Sequence, residues 1–414
     1  MDLSQISGQR AYRFLREFEY VREAGTDGER AAAEAICARL RQLGLEPETE
    51  EFPILRCATK KAVFRITKPF VKEYPVAGLR TGCGTGSEGV RGEFLFAEEG
   101  DDISLSRAKG KILLLSHRPG SEEYLRIAAS GAVGLLCVCG TPLDQGQDRL
   151  PQECKLRPVE NPTLPAVMLH CTDAREMVER GAIEAELYLE QEQEWAVSRN
   201  VTVRIPGTEK PEEILALTAH YDTVPECPGA YDNMAGCAII YEVCRYFAAH
   251  RPARTLEFTF FGSEEIGCKG SIAHLRRRKE QWPQYRLNLN VDLAGQTIGG
   301  TVLGVTAGES VARALEACLW ESGIGAKLRQ AAWSGDANSF ASCGIPAVTL
   351  DRDGFGMHTR HDTADLISPW ALERDARLLA FLADTFAREI PFDRAIPQPM
   401  QKQLSAEYGE FGEE

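Results

Sequence analysis

The sequence predicts an α/β protein, a mostly parallel sheet with helices on both faces, interrupted by a smaller α+β insert. Three observations predict it. The chain has 414 residues, more than one ordinary hydrophobic core supports, so two domains are expected. After Trp195, apolar strands and helical stretches alternate regularly, the pattern of a parallel sheet covered on both sides. Between about residues 75 and 192 that regularity gives way to turn-rich stretches and short apolar strands. The expected organisation is a discontinuous main domain (1–74 and 193–391), an insert (75–192) and a C-terminal tail (392–414).

The first clear helix begins at Thr26, where Thr26 and Glu29 stand three apart as in a capping box. Ala32, Ile36, Leu40 and Leu43 then recur at helical spacing, and Gly44 is the stop. TEEFPILR and KKAVFRIT alternate as strands do. Within the insert, EFLFA, KILLLS, VGLLCVC and PAVML read as strands, and SEEYLRIAAS and DAREMVERG as short helices. Beyond it, EEILALTAH is a strand ending at His220, and NMAGCAIIYEVCRYFAAH is a helix apolar on most sides. TLEFTFFG is a strand ending just before Glu264, and LNLNVD is a strand ending at Asp292. SVARALEACLWESG carries Val311, Leu315, Cys318 and Leu319 on one helical face, and GIPAVTL is a further strand. A last helix starts at Ser368-Pro369, a good cap and first-turn pair, and carries Leu378, Leu382 and Phe386. The tail, with Pro397, Pro399 and terminal acids, is expected to be peripheral.

Composition excludes several classes. A formal net charge of -14 argues against nucleic acid as a partner, because phosphate contacts need clustered Lys and Arg. No basic start followed by an apolar run marks a secretory signal, and no apolar stretch approaches the roughly 18 residues of a membrane span. No membrane partner is expected. Thirteen cysteines, an odd number mostly inside apolar segments, read as reduced buried thiols of a cytoplasmic protein rather than a disulfide framework. No pair of C-x-x-C units suggests a thiolate zinc site.

In open α/β sheets, ligands bind outside the carboxyl ends of the strands. Four such ends or the loops after them carry metal-binding side chains: His220, Glu264-Glu265, Asp292 and His358, with Asp232 at the start of the apolar helix. Each residue alone has an ordinary use. His220 serves as a hydrogen-bonded strand-end histidine, Asp232 as an N-cap, Asp292 as a buried cap. Their convergence is what points to metal. Asp222, two residues after His220, is placed to accept from its second ring nitrogen. Two adjacent carboxylates at the end of an apolar strand repel one another unless a cation or a proton relieves them. A second divalent ion about 3.5–4 Å from the first requires a bridging anion, and Asp232 is the candidate. In MHTRHDT, His358 is taken as the ligand and His361 as surface or supporting; His117, His170, His250 and His274 are read as structural or exposed. Nitrogen and carboxylate donors without thiolates suit zinc, with cobalt and manganese left open. No G-x-S-x-G elbow, H-E-x-x-H helix or P-loop is present.

At HYDTVPECPGAYDNMAG, FFGSEEIGCKGS, NVDLAG and MHTRHDT, in that order, the chain resembles the aminopeptidase Y and glutamate carboxypeptidase family of two-zinc exopeptidases. SRNV, IPGT and CGIPAV are similar as well, and the insert, with GKILLL, ASGAVGLL and TLPAVML, resembles a protease-associated domain. The resemblance implies a zinc exopeptidase-like fold and two Zn(2+) per chain. His220 and Asp292 would bind one ion, Glu265 and His358 the other, and Asp232 would bridge them. Asp222 would orient His220, and Glu264 would be the general base. It implies an aminopeptidase acting on peptides, with self-association left open. One departure stands out: where many relatives have Ser-Asp-His, this chain reads Gly335-Asp336-Ala337.

Other readings of the same scaffold are a carboxypeptidase or dipeptidase, for which Arg352 and Arg360 are candidate carboxylate partners. A single-zinc glutaminyl-cyclase-like transferase and a metal-free binding protein are further alternatives, the latter disfavoured because all five ligands are present.

Overall fold

A computed structural model of the chain describes residues 2–155, 161–333 and 335–408. Helices α1 (Gly8–Leu15) and α2 (Asp27–Gln42) precede a long strand, β1 (Glu48–Lys68). Then follow β2 (Lys72–Tyr74), β3 (Val76–Arg80), β4 (Val90–Phe96), α3 (Asp102–Leu105), β5 (Lys111–Leu115), α4 (Ser121–Ala129) and β6 (Gly134–Cys139). β7 (Cys154–Lys155), β8 (Ala166–His170), α5 (Cys171–Glu179) and a second long strand, β9 (Glu184–Ile205), come next. The remainder is β10 (Lys210–His220), α6 (Ala235–Ala249), β11 (Arg254–Phe261), α7 (Lys269–Arg277), β12 (Tyr285–Val291), β13 (Thr301–Thr306) and α8 (Glu309–Ser322). β14 (Lys327–Gln330), α9 (Asp336–Ser342), β15 (Ala347–Arg352), α10 (Pro369–Arg388) and α11 (Gln398–Tyr408) complete it.

Two compact units divide the chain, 1–54 with 196–414, and 55–195, so the divisions fall inside β1 and β9. The first division lies earlier than the expected residue 75. Its cause is packing: Phe64, Ile66 and Tyr74 share a core cluster with Ile112, Leu114 and Leu136. In that smaller unit β4, β5, β6 and β8 are mutually parallel, with β9 and β3 antiparallel at either side. The α+β expectation for the insert is corrected to that extent, since four short strands are joined by crossovers rather than hairpins.

The sheet of the larger unit runs β14-β13-β15-β12-β10-β11-β9. β15, β12, β10 and β11 are parallel. Their carboxyl ends therefore lie along one edge. β10 shows why the sheet needs cover on both faces: Leu215, Leu217 and Ala219 join one core cluster, Ile214 and Ala216 another. The first cluster takes in α1, α2, α6, α8 and α10; the second takes in α9 and α11. α6 buries residues all around its axis, as its composition predicts, and its one buried acid, Glu242, accepts from the Ser7 amide and pairs with Arg10 and Arg245.

α1 is an element the sequence reading did not contain; at eight residues its apolar period is too short to stand out. At α2, Thr26 caps the Glu29 amide as expected, but the Glu29 carboxylate accepts from the Gly25 amide, one residue before the cap. The tail expectation is corrected as well. Ile396, just before α11, and Leu404 on it are buried with Phe340 and Ala341, and Met400, one turn before Leu404, packs against the same cluster. Residues 409–414 lie outside the described part. Among the described residues, no helix is long and apolar enough to cross a membrane.

Away from the carboxyl edge, His274 on α7 sits between two acids, Nδ1 3.0 Å from Glu50 and Nε2 3.1 Å from Glu257. Arg278 pairs with Glu50, and Tyr285 donates to Glu257 at 2.7 Å. Burial pushes the Glu50 carboxyl up, yet His274, Arg278 and Asn200 outweigh it and hold it at about 2. A carboxyl held below its ordinary 4.5 contributes stability that is complete above pH 4.5 and drains away as pH falls toward 2. The unfolding free energy from denaturant melts is expected to drop across that window by an amount on the order of 3 kcal/mol from this group, and Glu50→Gln should flatten the slope there; an unchanged slope contradicts the assignment.

Candidate metal centre

The four parallel strands place their following residues together. His220 closes β10, Asp292 follows β12 at once, Glu264-Glu265 lie in the turn after β11, and His358 lies in the loop after β15. β11 and β12 flank β10 on opposite sides, so the crossovers diverge there and leave a crevice, the usual ligand position in such sheets.

All five expected ligands meet. The Nε2 of His220 lies 3.1 Å from Asp232 Oδ1 and 3.4 Å from Asp292 Oδ1. The Nε2 of His358 lies 2.9 Å from Asp232 Oδ2 and 3.1 Å from Glu265 Oε1. In each trio the donor atoms lie within 4.8 Å of one another. Asp232 thus turns one oxygen to each histidine. The N-cap alternative for Asp232 fails, because Asp232 and Asn233 leave helical geometry and it is the Asn233 side chain that accepts from the Gly236 amide.

Asp222 has a wider part than the expected one. His220 Nδ1 is 3.2 Å from the Asp222 carbonyl and 3.5 Å from its carboxylate. The carboxylate itself accepts from the amides of Glu264 (3.0 Å) and Glu265 (3.1 Å). It ties the histidine's loop to the acidic turn. Cys268, which flanks that turn, donates its thiol to Glu264 Oε1 at 3.4 Å, and Cys227 is buried, its thiol pushed up to about 12 by burial and nearby acids. His361 is exposed.

Sequence reasoning gave no role to four groups. Asp362, fully buried, accepts from the Tyr231 and Asp232 amides. Arg22, also fully buried, donates to carbonyls of the loop between His220 and Asp232. Asp336 and Asp351 add two carboxyls near Asp292. Asp362 stands in the same MHTRHDT stretch as His358, so a signal was present; Arg22 has none. The candidate carboxylate partners are otherwise engaged: Arg352 donates to Gln296, Thr297 and Thr301, and Arg360 pairs with Glu226.

Electrostatics tests whether metal fits. Asp222, Asp232, Glu264, Glu265, Asp292, Asp336, Asp351 and Asp362 face two imidazoles and one guanidinium. Burial, with Glu265, Asp292 and Asp336 alongside, pushes Glu264 well up, and burial likewise raises Asp292. Asp336 and Asp351 are pushed to about 7 and Asp362 to about 6, burial leading in each. Burial works against a charged His358, but Asp232 and Glu265 lift it to about 10; His220 is raised in the same way by Asp222, Asp232 and Asp292. Asp232, between both rings, is driven down against its burial. Two protonated imidazoles are too little charge for so many acids. Divalent cations on this nitrogen and carboxylate donor set relieve the repulsion, so the residues present fit the implied metal.

Backbone strain concentrates here too. Ser263, Cys268, Leu293 and His358 are non-glycine residues at positive φ, a conformation that persists only where surroundings enforce it. Gly335, at φ +70°, faces the same centre: a Cβ there would stand 2.8 Å from Asp292 Oδ2 and 3.5 Å from Glu264 Oε1.

The carboxyl edge of this parallel sheet thus gathers imidazoles and carboxylates around one shared aspartate, a donor set that can hold divalent cations. Over residues 200–383 the chain matches the model of peptidase family M28. It is 34% identical to the vacuolar membrane protease of Saccharomyces cerevisiae over 133 residues, 32% of this chain and 13% of that protein. It is 32% identical to aminopeptidase YwaD of Bacillus subtilis over 106 residues, 24% of this chain and 23% of that protein. The chain therefore spans only 13% and 23% of these curated relatives' own lengths. In fold it matches the solved structure of a zinc aminopeptidase from Bacillus subtilis with a TM-score of 0.80 and 21% identity, covering 94% of this chain and 99% of that one.

Gly335→Ala should lose on two counts, the positive φ and the contact with Asp292. Expected are a stability loss of about 1–3 kcal/mol by denaturant melt and weakened zinc binding by chelator competition; wild-type values for both would contradict the close packing at Gly335.

Proposed function

We propose that the chain is a zinc-dependent exopeptidase, and specifically an aminopeptidase that hydrolyses N-terminal residues of peptides. The observation that carries this reading is Asp232 dividing its two oxygens between His220 and His358. On it, His220 and Asp292 hold one ion, Glu265 and His358 a second, and Asp232 is common to both. Two divalent ions so held supply Lewis acidity for the scissile carbonyl and a lowered pKa for the attacking water. Glu264 is not among the proposed ligands, and its carboxyl sits beside Glu265 with a raised proton affinity. That suits it to take a proton from water and pass it to the leaving amine. Asp222 holds the Glu264 and Glu265 amides while touching His220, so base and ligands keep one register.

Aminopeptidase over carboxypeptidase is supported by the likeness to aminopeptidases and by the engagement of Arg352 and Arg360, which leaves neither for a terminal carboxylate. The 55–195 unit as a protease-associated-like module, residence in the cytoplasm and self-association are further proposals, the second resting on the abundance of cysteines.

Zinc analysis should give two equivalents. Against a panel of free and N-blocked peptides read by mass spectrometry, wild type should trim free N-termini only. Glu264→Gln should keep its zinc while kcat falls by roughly 10²–10⁴. Cleavage confined to N-blocked peptides would transfer the reading to carboxypeptidase, and wild-type activity in Glu264→Gln would end the proposed mechanism.

A further inference from the structure

Between His220 and Asp232 the backbone runs through residue 229 with no helix or strand of its own. Such a segment brings few internal hydrogen bonds, and its buried carbonyls and amides must find partners elsewhere. Two charged side chains supply them, one from each side.

On the carbonyl side stands Arg22, 0% exposed. Its Nε donates to the Tyr221 carbonyl at 2.7 Å, Nη1 to Pro228 at 2.7 Å, and Nη2 to Gly229 at 2.9 Å. Nη1 also reaches the carbonyls of Phe18 (2.6 Å) and Tyr20 (2.9 Å), which fasten the arginine to its own neighbourhood. The backbone of Arg22 joins in: its amide donates to Thr223 Oγ1 at 3.0 Å, and its carbonyl accepts from the Thr223 amide at 3.3 Å. On the amide side stands Asp362, also 0% exposed. Its Oδ1 accepts from the Tyr231 amide at 2.6 Å, its Oδ2 from the Asp232 amide at 3.0 Å, and its carbonyl from the Ala230 amide at 3.2 Å.

The cation and the anion hold opposite polarities of one stretch of backbone, and among the described residues no salt bridge to a carboxylate takes up Arg22. A buried guanidinium spent wholly on carbonyls is costly unless all its bonds are made, so its place is narrowly defined. A lysine there has one nitrogen where five carbonyls need three. The two ends of the gripped stretch are His220 and Asp232, whose separation decides whether Asp232 can serve both histidines.

We propose that Arg22 and Asp362 are positioning residues that clamp residues 221–232 from their carbonyl and amide sides, set the distance between His220 and Asp232, and thereby set zinc affinity. The affinity part rests on the metal reading above; the grip does not.

The test uses the full chain with Arg22→Lys and Asp362→Asn. Arg254→Lys is the control, since Arg254 is a buried arginine that donates to the Ala387 carbonyl far from the segment. Amide hydrogen exchange is read on metal-free protein, zinc affinity by chelator competition, and melting temperature on all. Expected is at least tenfold faster exchange at Tyr231 and Asp232 and at least tenfold weaker zinc binding in both clamp variants. The control should show neither at a comparable loss of melting temperature. If Arg22→Lys does not fold, Thr223→Val takes its place with the same readouts. Exchange and affinity unchanged, or changed no more than in the control, overturn the clamp. Wild type that takes up no zinc overturns the metal reading and the affinity claim with it, while exchange on the same protein still decides the grip.

Discussion

Repulsion among carboxylates at the carboxyl edge of the sheet is the constraint around which the larger unit is built. Four parallel strands end side by side, and each brings an acid or an imidazole to the same few ångströms. Bare, that arrangement would be among the least favourable in the molecule, because low local polarizability magnifies like-charge repulsion. It is tolerable with cations in place. Everything nearby makes sense as support for a geometry that would otherwise relax: backbone amides aimed at Asp222 and Asp362, residues held at positive φ, and a glycine at 335 where no side chain fits.

The same protein handles buried charge in a second way. Around His274 the signs nearly balance, with Glu50 and Glu257 met by an imidazole and by Arg204 and Arg278. That network is satisfied without any ligand and fixes α7 to the sheet. The centre near Asp232 is left with surplus negative charge. The contrast between a closed network and an open one, built on neighbouring strands, separates a structural cluster from a functional one more cleanly than residue type does.

Much of this was legible beforehand, and for identifiable reasons. Period-two and period-3.6 patterns exposed β10, β11, β12, α6 and α10, since each buries a long apolar face. The clustering of His220, Asp232, Glu265, Asp292 and His358 was legible because short-range position, at or near the end of an apolar strand, coincides with long-range convergence in a parallel sheet. What escaped were contacts whose partners lie far apart in sequence. Arg22 acts on carbonyls some two hundred residues away, and nothing local distinguishes it from a surface arginine. Asp362 was hidden beside His358, because an acid in a polar loop looks solvated until its backbone partners are known. The early boundary at residue 54 and the packing of α11 escaped for a related cause: β1 runs unbroken as one strand through the division, and α11 shows only one apolar residue per turn.

The termini of the larger unit meet in a way that bears on biosynthesis. α1 packs so tightly against the start of α10 that a Cβ on Gly8 would overlap the Pro369 carbonyl, and the Gly8 amide donates to Glu373 at 3.0 Å. A ribosome adding about 5–20 residues per second takes roughly 10–40 s to pass from residue 196 to the end of α10. Within that interval α1 first gains α6 as a partner, while its face toward α10 stays uncovered to the end. The unit can close only once α10 has left the ribosome, so the face of α1 that meets α10 is the part of its early helices that waits longest for cover.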